Sequence, residues 1–315
     1  MSNEYNKEDI SIIKGTENIK MKKVAIVISS NHPGNLLKDC LKSLKQTTYK
    51  NYKIFLVNDS GEPLKLKVSK NIEIINTEGN TGFSKAYNVG IKISLKWNPD
   101  YILLLNDDTE VTDKTWLTQM IKVGEKNFNI GILGCKIIYP DGTLQNIGGY
   151  IKNWEITKEL NPNLNTPFDV DHIMGSFMLI KRKVIETIGL LDEVFNPYLL
   201  EDTDFCLATK KKGFKVVSVP EVILIHKKGK SVDKDPNSAR MFIRFRNDII
   251  FSRRHLSLKN RLVRMFIYLP MVAVFRKNKD EDALRFKNFR LRKDFINNLG
   301  LLFIAYMHVL RYRLK

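Results

Sequence analysis

We predict an α/β fold for this chain of 315 residues, with a doubly wound, mostly parallel sheet and a basic helical C-terminal extension. Three observations support the prediction. Short apolar segments rich in β-branched residues alternate with longer segments whose apolar residues repeat at helical spacing. Several short segments end abruptly in Asn, Asp or Ser, as buried strands do where they open into a site. The last quarter of the chain, from Met241 to Lys315, contains 18 lysines and arginines but only 5 acidic residues, and therefore carries most of the net charge of +18.

The first hundred residues are predicted to alternate strands with helices. Segments 22–29, 53–57 and 72–75 are short and apolar, which is typical of buried strands. The segments between 36 and 44 and after 83 have helical periodicity. Because strand–helix–strand units with right-handed crossovers form parallel sheets, we expect the polar strand ends at Ser29, Asn58 and Asn106 to converge on one edge.

The segment 101–110, YILLLNDDTE, is central to the functional prediction. Five apolar residues, too few for a helix of ordinary length, end in Asn106, Asp107 and Asp108. Ligands of open α/β sheets bind outside the carboxyl ends of the strands, so these side chains are placed to hold a hard divalent cation, which prefers oxygen ligands. An Asp-rich turn after a strand has the same composition.

The second half is predicted to continue with alternating elements. We expect a helix over 116–123, strands over 130–139, 173–180 and 215–219, and a helix over 183–188 that ends at Gly189. Residues 140–167 are rich in Gly, Asn and Pro and predict turns and a flexible loop over the site.

A second acidic cluster lies at the start of a predicted helix. Glu201, Asp202 and Asp204 precede a helical pattern, where they either cap the helix or supply a general base. His226 follows the apolar segment 221–225 and is either a packed residue or a metal ligand.

The cysteines and the N-terminus bear on the compartment. Cys40, Cys135 and Cys206 are far apart and form no CxxC pair, so neither a disulfide framework nor a zinc site is expected. No apolar stretch before Met21 is long enough for a signal peptide, so we expect residues 1–20 to be a polar tail and the protein to be cytoplasmic.

Six segments in order resemble family 2 glycosyltransferases, particularly the rhamnosyltransferase-like branch. They are NDS, EGNTGFSKAYNVGI, LLLNDDTEV, MGSFMLIKRKV, LLEDTDFCLATKKKGFK and IHKKGKS. The resemblance implies a GT-A fold, which is Rossmann-like, over about 21–255, with 256–315 as the extension. It also implies a nucleotide-sugar donor, a divalent cation (Mg or Mn) and inversion at the anomeric carbon. The implied acceptor is a hydroxyl of a glycan or lipid-linked molecule in cell-surface polysaccharide or glycoconjugate synthesis.

Carried over one position at a time, the resemblance implies three sets of site residues. Asp202 matches the catalytic base, with Glu201 as its neighbour. The implied metal ligands are Asn106, Asp108 and His226. The implied donor-binding residues are Asp59, Gly82, Lys85, Asn88, Asp107 and Arg246, the last of which belongs to an RxRN element with Arg244 and Asn247.

Two features depart from the family pattern. The metal-binding segment begins with Asn106 rather than aspartate, which lowers the charge of that ligand. After the first strand, the sequence SSNHPGN stands where the family often has an aromatic-Asn-Arg segment.

The basic C-terminal region predicts contact with a membrane surface. Apolar patches at 265–275 and 295–310 alternate with basic clusters at 276–279 and 290–293. Because Pro270 interrupts the first patch and two asparagines lie in the second, we expect amphipathic helices on an anionic membrane surface rather than spanning helices. This would make the protein peripheral on the inner face of the cell membrane. A helical tail that packs on the domain or on a second subunit is the alternative.

Two other functions fit part of the sequence. A sugar nucleotidyltransferase would share the sheet, but it needs a glycine-rich basic loop after the first strand, and SSNHPGNLLKD lacks one. A non-enzymatic nucleic-acid-binding protein could use the basic C-terminal region, but no helix-turn-helix or RNP-like pattern is present, so no nucleic acid is expected as a partner. The presence of Asp108 and Asp202 argues against an inactive relative with a structural role.

Overall fold

The computed structural model describes residues 21–64, 69–227, 237–277 and 289–311. The predicted polar tail (1–20) and part of the basic cluster at 276–279 lie outside these residues.

Strands and helices alternate through the first two thirds of the described chain. The strands are β1 (Val24–Ser30), β2 (Tyr52–Asn58), β3 (Ile72–Asn76), β4 (Tyr101–Asn106), β5 (Thr109–Val111), β6 (Ile130–Ile138), β7 (Leu144–Asn146), β8 (Gly149–Lys152), β9 (Glu155–Lys158), β10 (Phe168–Val170), β11 (Phe177–Lys181), β12 (Lys215–His226), β13 (Phe275–Lys277) and β14 (Phe289–Leu291). The helices are α1 (Asn35–Lys45), α2 (Phe83–Leu95), α3 (Trp116–Glu125), α4 (Arg182–Ile188), α5 (Glu201–Lys211), α6 (Asn237–His255), α7 (Leu258–Val263), α8 (Leu269–Val274) and α9 (Phe295–Arg311). A 3₁₀ turn (Glu193–Phe195) precedes α5, and a π-helical segment (Arg264–Tyr268) joins α7 to α8.

One mixed sheet organises the molecule. Its strand order is β10-β12-β6-β11-β4-β1-β2-β3, and β5 and β7 pair with β12 and β6. Strands β1, β2, β3, β4, β6 and β12 run in one direction, whereas β11 runs antiparallel between β4 and β6. The predicted α/β fold with mostly parallel strands is confirmed.

Helices cover both faces of the sheet, which explains why its central strands are continuously apolar. Leu103 and Leu105 of β4 belong to a hydrophobic cluster that includes residues of α1 and α3. Ile102 and Leu104 belong to a second cluster, which includes residues of α2, α4 and α5. The sheet is therefore doubly wound, and its polar strand ends are left at its edge.

The C-terminal helices form a third hydrophobic cluster, which also covers a hairpin. Residues of α6, α8 and α9 pack with Phe195 and with the β8–β9 hairpin through Ile151, Trp154 and Ile156. The prediction of a loop over 140–167 is wrong in this part, because β7, β8 and β9 lie within it. Strands of three or four residues are too short to show an alternating pattern in the sequence.

None of the described helices combines the length and the apolar character that a membrane crossing requires.

Candidate active site

The parallel strands present polar residues in register at the carboxyl edge of the sheet. Ser30 of β1 lies beside Asn58 of β2, and Ser29 lies beside Asn106 of β4. The acidic residues that follow β2 and β4 therefore start from the same edge, as the sequence predicted.

Asp108 and His226 form a buried pair at this edge. Strand β5 starts directly after Asp108 and pairs antiparallel with the end of β12, so that Thr109 lies opposite His226. His226 Nε2 lies 3.2 Å from Asp108 Oδ1, and less than a tenth of either residue is exposed. The backbone N–H of Lys227 donates to the Asp108 carbonyl at 2.8 Å, which fixes the two segments together.

Gln145 of β7 orients the imidazole of His226. Its Oε1 lies 3.0 Å from His226 Nδ1, and the residue is buried. Because an amide oxygen can only accept, Nδ1 carries a proton. In the neutral imidazole, the lone pair of Nε2 is then directed towards Asp108.

The Asp108–His226 pair fits a divalent cation. A carboxylate oxygen and an imidazole nitrogen are both common ligands, and two ligand atoms about 2.1 Å from one ion at right angles are about 3 Å apart. A hydrogen bond from the second ring nitrogen, here to Gln145, is the usual support of a metal-bound histidine. The described residues contain no group of three or more His, Cys, Asp or Glu side chains that could hold a metal. The pair would therefore hold a cation whose remaining ligands come from elsewhere.

The two residues before Asp108 have other hydrogen-bond partners. Asn106 Oδ1 accepts from the Tyr87 hydroxyl at 3.0 Å, which directs the amide towards α2. Asp107 Oδ2 accepts from the Ser30 hydroxyl. Burial raises the pKa of Asp107 to about 6, and the neighbouring charge of Asp108 adds to the shift. Of the three predicted metal ligands, Asp108 and His226 are directed at each other, and Asn106 is directed at Tyr87.

Asp202 lies in the first turn of α5, beside the start of β11. Its Oδ2 accepts from the Gly175 N–H at 2.8 Å, and its Oδ1 accepts from the Thr203 N–H at 2.6 Å. A Cβ atom on Gly175 would lie 2.9 Å from Phe83 Cζ and 3.3 Å from Asp202 Cβ, so glycine allows the close approach. The backbone carbonyl of the next residue, Ser176, accepts from the Asn106 N–H at 3.1 Å. These contacts connect Asp202 to the end of β4, at the edge that also carries Asp108.

Glu201 differs from Asp202 in its environment. It is buried, and its Oε2 has no hydrogen-bond partner among the described residues. Burial raises the pKa of Glu201 well above its ordinary value, and the charge of Asp202 adds to the shift. Burial therefore favours the protonated form of Glu201, whereas Asp202 is partly exposed and accepts two backbone hydrogen bonds.

His172 is a second buried histidine, which the sequence analysis missed. Its Nε2 lies 3.0 Å from the Thr157 carbonyl of β9. Burial lowers the pKa of His172, and the charge of Asp202 opposes the shift. Gln145 lies within the segment 140–167, which was predicted to be a loop, and His172 contacts Thr157 of the same segment, so local pattern gave no sign of either residue.

Two predicted donor-binding residues, Asp59 and Asn88, hold neighbouring loops in place through hydrogen bonds. Asp59 is buried and accepts from the Thr77 hydroxyl at 2.5 Å and from the Thr81 N–H and hydroxyl, both at 2.9 Å. Asn88 donates to the Leu191 carbonyl at 2.9 Å and to Glu193 Oε1 at 3.0 Å, and accepts from the Leu191 N–H at 3.1 Å. Asp59 thereby shapes the 77–81 loop, and Asn88 ties α2 to the segment before α5.

The other predicted donor-binding residues lie around the N-terminus of α2. Gly82 has φ +89°, and a Cβ atom there would lie 2.9 Å from Pro197 Cα. Lys85 is exposed on the first turn of α2. Arg246 of α6 donates to the carbonyl of Asn196, the residue before Pro197. The start of α2, the loop before α5 and α6 therefore meet at one place.

A cleft of about 670 Å³ opens beside Asp59. It lies between the loop after β1 and the loop after β2, and its lining includes His32, Leu37, Ser60 and Pro63. Both polar and apolar groups face it, so a planar ring with hydrogen-bonding edges could occupy it.

Several known proteins with similar sequences or folds are glycosyltransferases or carry names from glycan synthesis. The sequence profile described as Glycosyl transferase family 2 matches residues 24–189. The chain is 24% identical over 273 residues to the dTDP-rhamnosyl transferase RfbF of Shigella flexneri, covering 82% of this chain and 90% of that protein. It is 26% identical over 226 residues to the O-antigen biosynthesis protein RfbC of Myxococcus xanthus, covering 65% of this chain. The chain spans only 27% and 17% of the length of two curated relatives that it matches, the second being RfbC.

The fold resembles that of a mannosyltransferase from Pyrobaculum calidifontis, solved in complex with GDP-Man and Mn²⁺. The TM-score is 0.54 at 10% identity, over 92% of this chain and 76% of that one. At this identity the likeness concerns the fold, and the predicted GT-A type is confirmed.

Proposed function

Because this chain belongs to glycosyltransferase family 2, we propose that it transfers a sugar from a nucleoside-diphosphate donor to a hydroxyl of a glycan or lipid-linked acceptor, with inversion at the anomeric carbon. One observation carries the proposal. A buried Asp108–His226 pair suited to a cation lies at the same sheet edge as Asp202, a partly exposed carboxylate. Sugar transfer needs both, because the departing diphosphate develops negative charge and the attacking hydroxyl releases a proton.

The donor is proposed to lie along the carboxyl edge of the sheet. The cleft beside Asp59 has a volume of about 670 Å³, which is within the range of nucleotide-sized sites. Asp59 would hold the 77–81 loop against the donor through its hydrogen bonds to Thr77 and Thr81. Lys85 and Arg246, at the start of α2 and on α6, would contribute positive charge towards the diphosphate.

Asp108 and His226 are the proposed ligands of a magnesium or manganese ion. When bound, the ion would stabilise the negative charge that develops on the diphosphate as the sugar–phosphate bond breaks. Gln145 would keep the imidazole of His226 in the tautomer that offers Nε2, because its oxygen accepts from Nδ1. The Mn²⁺ in the related mannosyltransferase structure is consistent with this assignment.

Asp202 is the proposed general base. The N–H groups of Gly175 and Thr203 hold its carboxylate in place, and partial exposure lets an acceptor reach it. In the transition state it would take the proton of the attacking hydroxyl, a role typically worth about 10² to 10⁴ in rate. Direct attack from the face opposite the leaving group needs only this base and inverts the anomeric centre. Glu201 would lie beside it as a neighbour whose protonated form is favoured by burial.

The protein is proposed to act in polysaccharide or glycoconjugate synthesis at the cytoplasmic face of the cell membrane. Large apolar side chains are exposed on the C-terminal helices, including Phe266, Ile296, Phe303 and Leu310, each more than 60% exposed. An interfacial helix presents such side chains beside basic residues.

A donor panel tests the proposed function. The purified protein is incubated with nucleoside-diphosphate sugars of different base and sugar, with and without Mg²⁺ or Mn²⁺. We expect one group of donors to raise the melting temperature and to release the nucleoside diphosphate slowly, only when a cation is present. Stabilisation by nucleoside triphosphates and sugar phosphates, with release of pyrophosphate, would instead identify a nucleotidyltransferase.

A further inference from the structure

A cavity of about 590 Å³ lies where the C-terminal end of α5 meets α6 and α7. Basic residues dominate its lining, namely Lys211, Arg253, Arg254, His255 and Arg261. Two acidic residues, Asp192 and Asp204, also line it. Whether the cavity can bind an anion depends on which of these basic residues form ion pairs with the two acidic residues.

Arg254 contacts both acidic residues, and His255 contacts Asp204. Arg254 donates to Asp192 Oδ2 at 2.8 Å and contacts Asp204 Oδ1 at 3.3 Å. His255 Nε2 lies 2.7 Å from Asp204 Oδ1. The acidic residues therefore lie against Arg254 and His255, and neither of them forms an ion pair with Lys211, Arg253 or Arg261.

Lys211, Arg253 and Arg261 form no ion pair within the described parts of the chain, and their hydrogen bonds go to backbone carbonyls. Lys211 Nζ donates to the Arg254 carbonyl at 3.0 Å, Arg253 to the Val309 carbonyl at 3.3 Å, and Arg261 to the Arg253 carbonyl at 3.1 Å. Arg261 Nε and His255 Nδ1 are buried and have no hydrogen-bond partner among the described residues. Three like charges around one cavity favour an anionic ligand, and arginine in particular suits a phosphate group.

Helix α7, which carries Arg261, and the π-helical segment that follows it expose an apolar face. Leu258, Leu262 and Phe266 follow each other at intervals of four residues and are 66%, 47% and 64% exposed. Phe266 stacks on Tyr306 of α9, at 6.1 Å between ring centroids, so the face continues onto a second helix. Exposed apolar side chains beside uncompensated cations are the signature of a helix that lies in an anionic membrane surface. A second copy of the chain would bring its own positive charges against this surface and is disfavoured by repulsion.

We propose that this cavity binds the phosphate group of a membrane lipid while Leu258, Leu262 and Phe266 enter the apolar layer below the headgroups. The inference rests on the proposed membrane association and gives it a specific site. Lys211 is the last residue of α5 and Asp202 the second, so Lys211 lies about 13 Å along this helix from the proposed base. A lipid-bound phosphate held there would keep the active site close to an acceptor carried by the membrane.

Vesicle co-sedimentation of the full chain tests the inference. Phosphatidylcholine vesicles are compared with vesicles that also contain phosphatidylglycerol, and no sugar donor is added. We expect the wild type to bind only the anionic vesicles. The double variant Arg253→Gln/Arg261→Gln is expected to bind them about 25-fold more weakly, since each removed charge near the surface is worth about fivefold.

Matched variants separate the cavity from charge in general. Lys122→Gln/Lys126→Gln removes the same charge from exposed positions at α3 and is expected to bind like the wild type. Lys211→Gln, a single exposed change, is expected to weaken binding about fivefold and serves if the double variant does not fold. Equal binding by the cavity variants and the α3 variant would overturn the inference.

A titration with a soluble phosphate compound distinguishes a lipid phosphate from a free one. Inorganic diphosphate is titrated into the wild type and the cavity variants. Weak binding that the variants lose, together with tight binding to anionic vesicles, supports a lipid phosphate. Tight diphosphate binding with no vesicle binding would assign the cavity to a soluble phosphate and overturn the lipid proposal. Because no sugar transfer is measured, failure of this inference and failure of the proposed function can be told apart.

Discussion

The substitution Gln145→Leu tests whether His226 is held as a cation ligand. Leucine is similar in size to glutamine but cannot accept the hydrogen bond from His226 Nδ1, which is 3.0 Å long in the folded protein. Without this partner, the imidazole loses the group that fixes its tautomer and its orientation towards Asp108. The change leaves both proposed ligands, Asp108 and His226, in place.

The size of the effect follows from the loss of one buried hydrogen bond. A buried N–H without a partner costs about 1 to 3 kcal/mol. Removal of the hydrogen-bond partner of a metal-bound histidine typically lowers metal affinity by about 10- to 100-fold, which corresponds to about 1.4 to 2.8 kcal/mol. The two ranges agree, so we expect Gln145→Leu to weaken Mn²⁺ binding by about 10- to 100-fold.

The affinity can be measured by titrating Mn²⁺ and following the signal of the free ion by electron paramagnetic resonance. His226→Ala removes a proposed ligand and shows how far the Mn²⁺ affinity falls when the site is lost. Gln119→Leu is the matched control, because Gln119 of α3 bonds to Asp113 and Thr115 at the surface. If Gln145→Leu bound Mn²⁺ as tightly as the wild type while His226→Ala did not, the proposed role of Gln145 would be refuted.

Two further predictions concern stability. Gly82→Ala should destabilise the protein more than Gly142→Ala. Both glycines have positive φ (+89° and +84°), but only at Gly82 would an added Cβ lie close to backbone, 2.9 Å from Pro197 Cα. In urea unfolding, Gly82→Ala should lower the free energy of unfolding by about 1 to 3 kcal/mol more than Gly142→Ala does, and equal decreases would contradict the packing around Gly82. Glu201→Gln should be more stable than the wild type at pH 7 but equally stable at pH 4. Above the ordinary pKa of 4.5 the unfolded chain ionises, whereas burial raises the pKa of Glu201 in the folded protein and so opposes its ionisation. The wild type then loses about 1.4 kcal/mol per pH unit up to the folded pKa, and parallel stability curves for the two proteins would contradict a raised pKa of Glu201.

The local sequence pattern predicted the central strands and helices because each is either a short apolar segment or a segment with apolar residues at helical spacing. The segment 53–57 corresponds to β2 (Tyr52–Asn58), and its apolar residues are buried on both faces of the sheet. Gly189, predicted to end a helix, follows α4 and has φ +86°, a conformation that glycine adopts without strain.

The β8–β9 hairpin had no such signal. Its strands have four residues each, and what stabilises them is packing against helices that lie far away in the sequence. Trp154, for example, contacts Tyr268, with 5.2 Å between ring centroids. A pattern confined to a few neighbouring residues cannot report such contacts, so the segment was predicted to be a loop.

The candidate site was predictable in its acidic residues but not in their environment. Asp108 and Asp202 could be selected because carboxylates at a strand end and a helix start are visible in sequence. The different environments of Glu201 and Asp202, and the contact of Gln145 with His226, depend on burial and on partners that only the folded chain brings together. The roles of the individual site residues stay predictions until variants are measured.

The central claim, that Asp202 accepts the proton of the attacking hydroxyl, is tested most directly by Asp202→Asn. Transfer rate and donor affinity are measured side by side, with the donor that the panel identifies. We expect a rate lower by about 10² to 10⁴ with unchanged donor affinity, because the substitution removes only the base. Normal turnover by Asp202→Asn, with or without a loss of donor affinity, would contradict it.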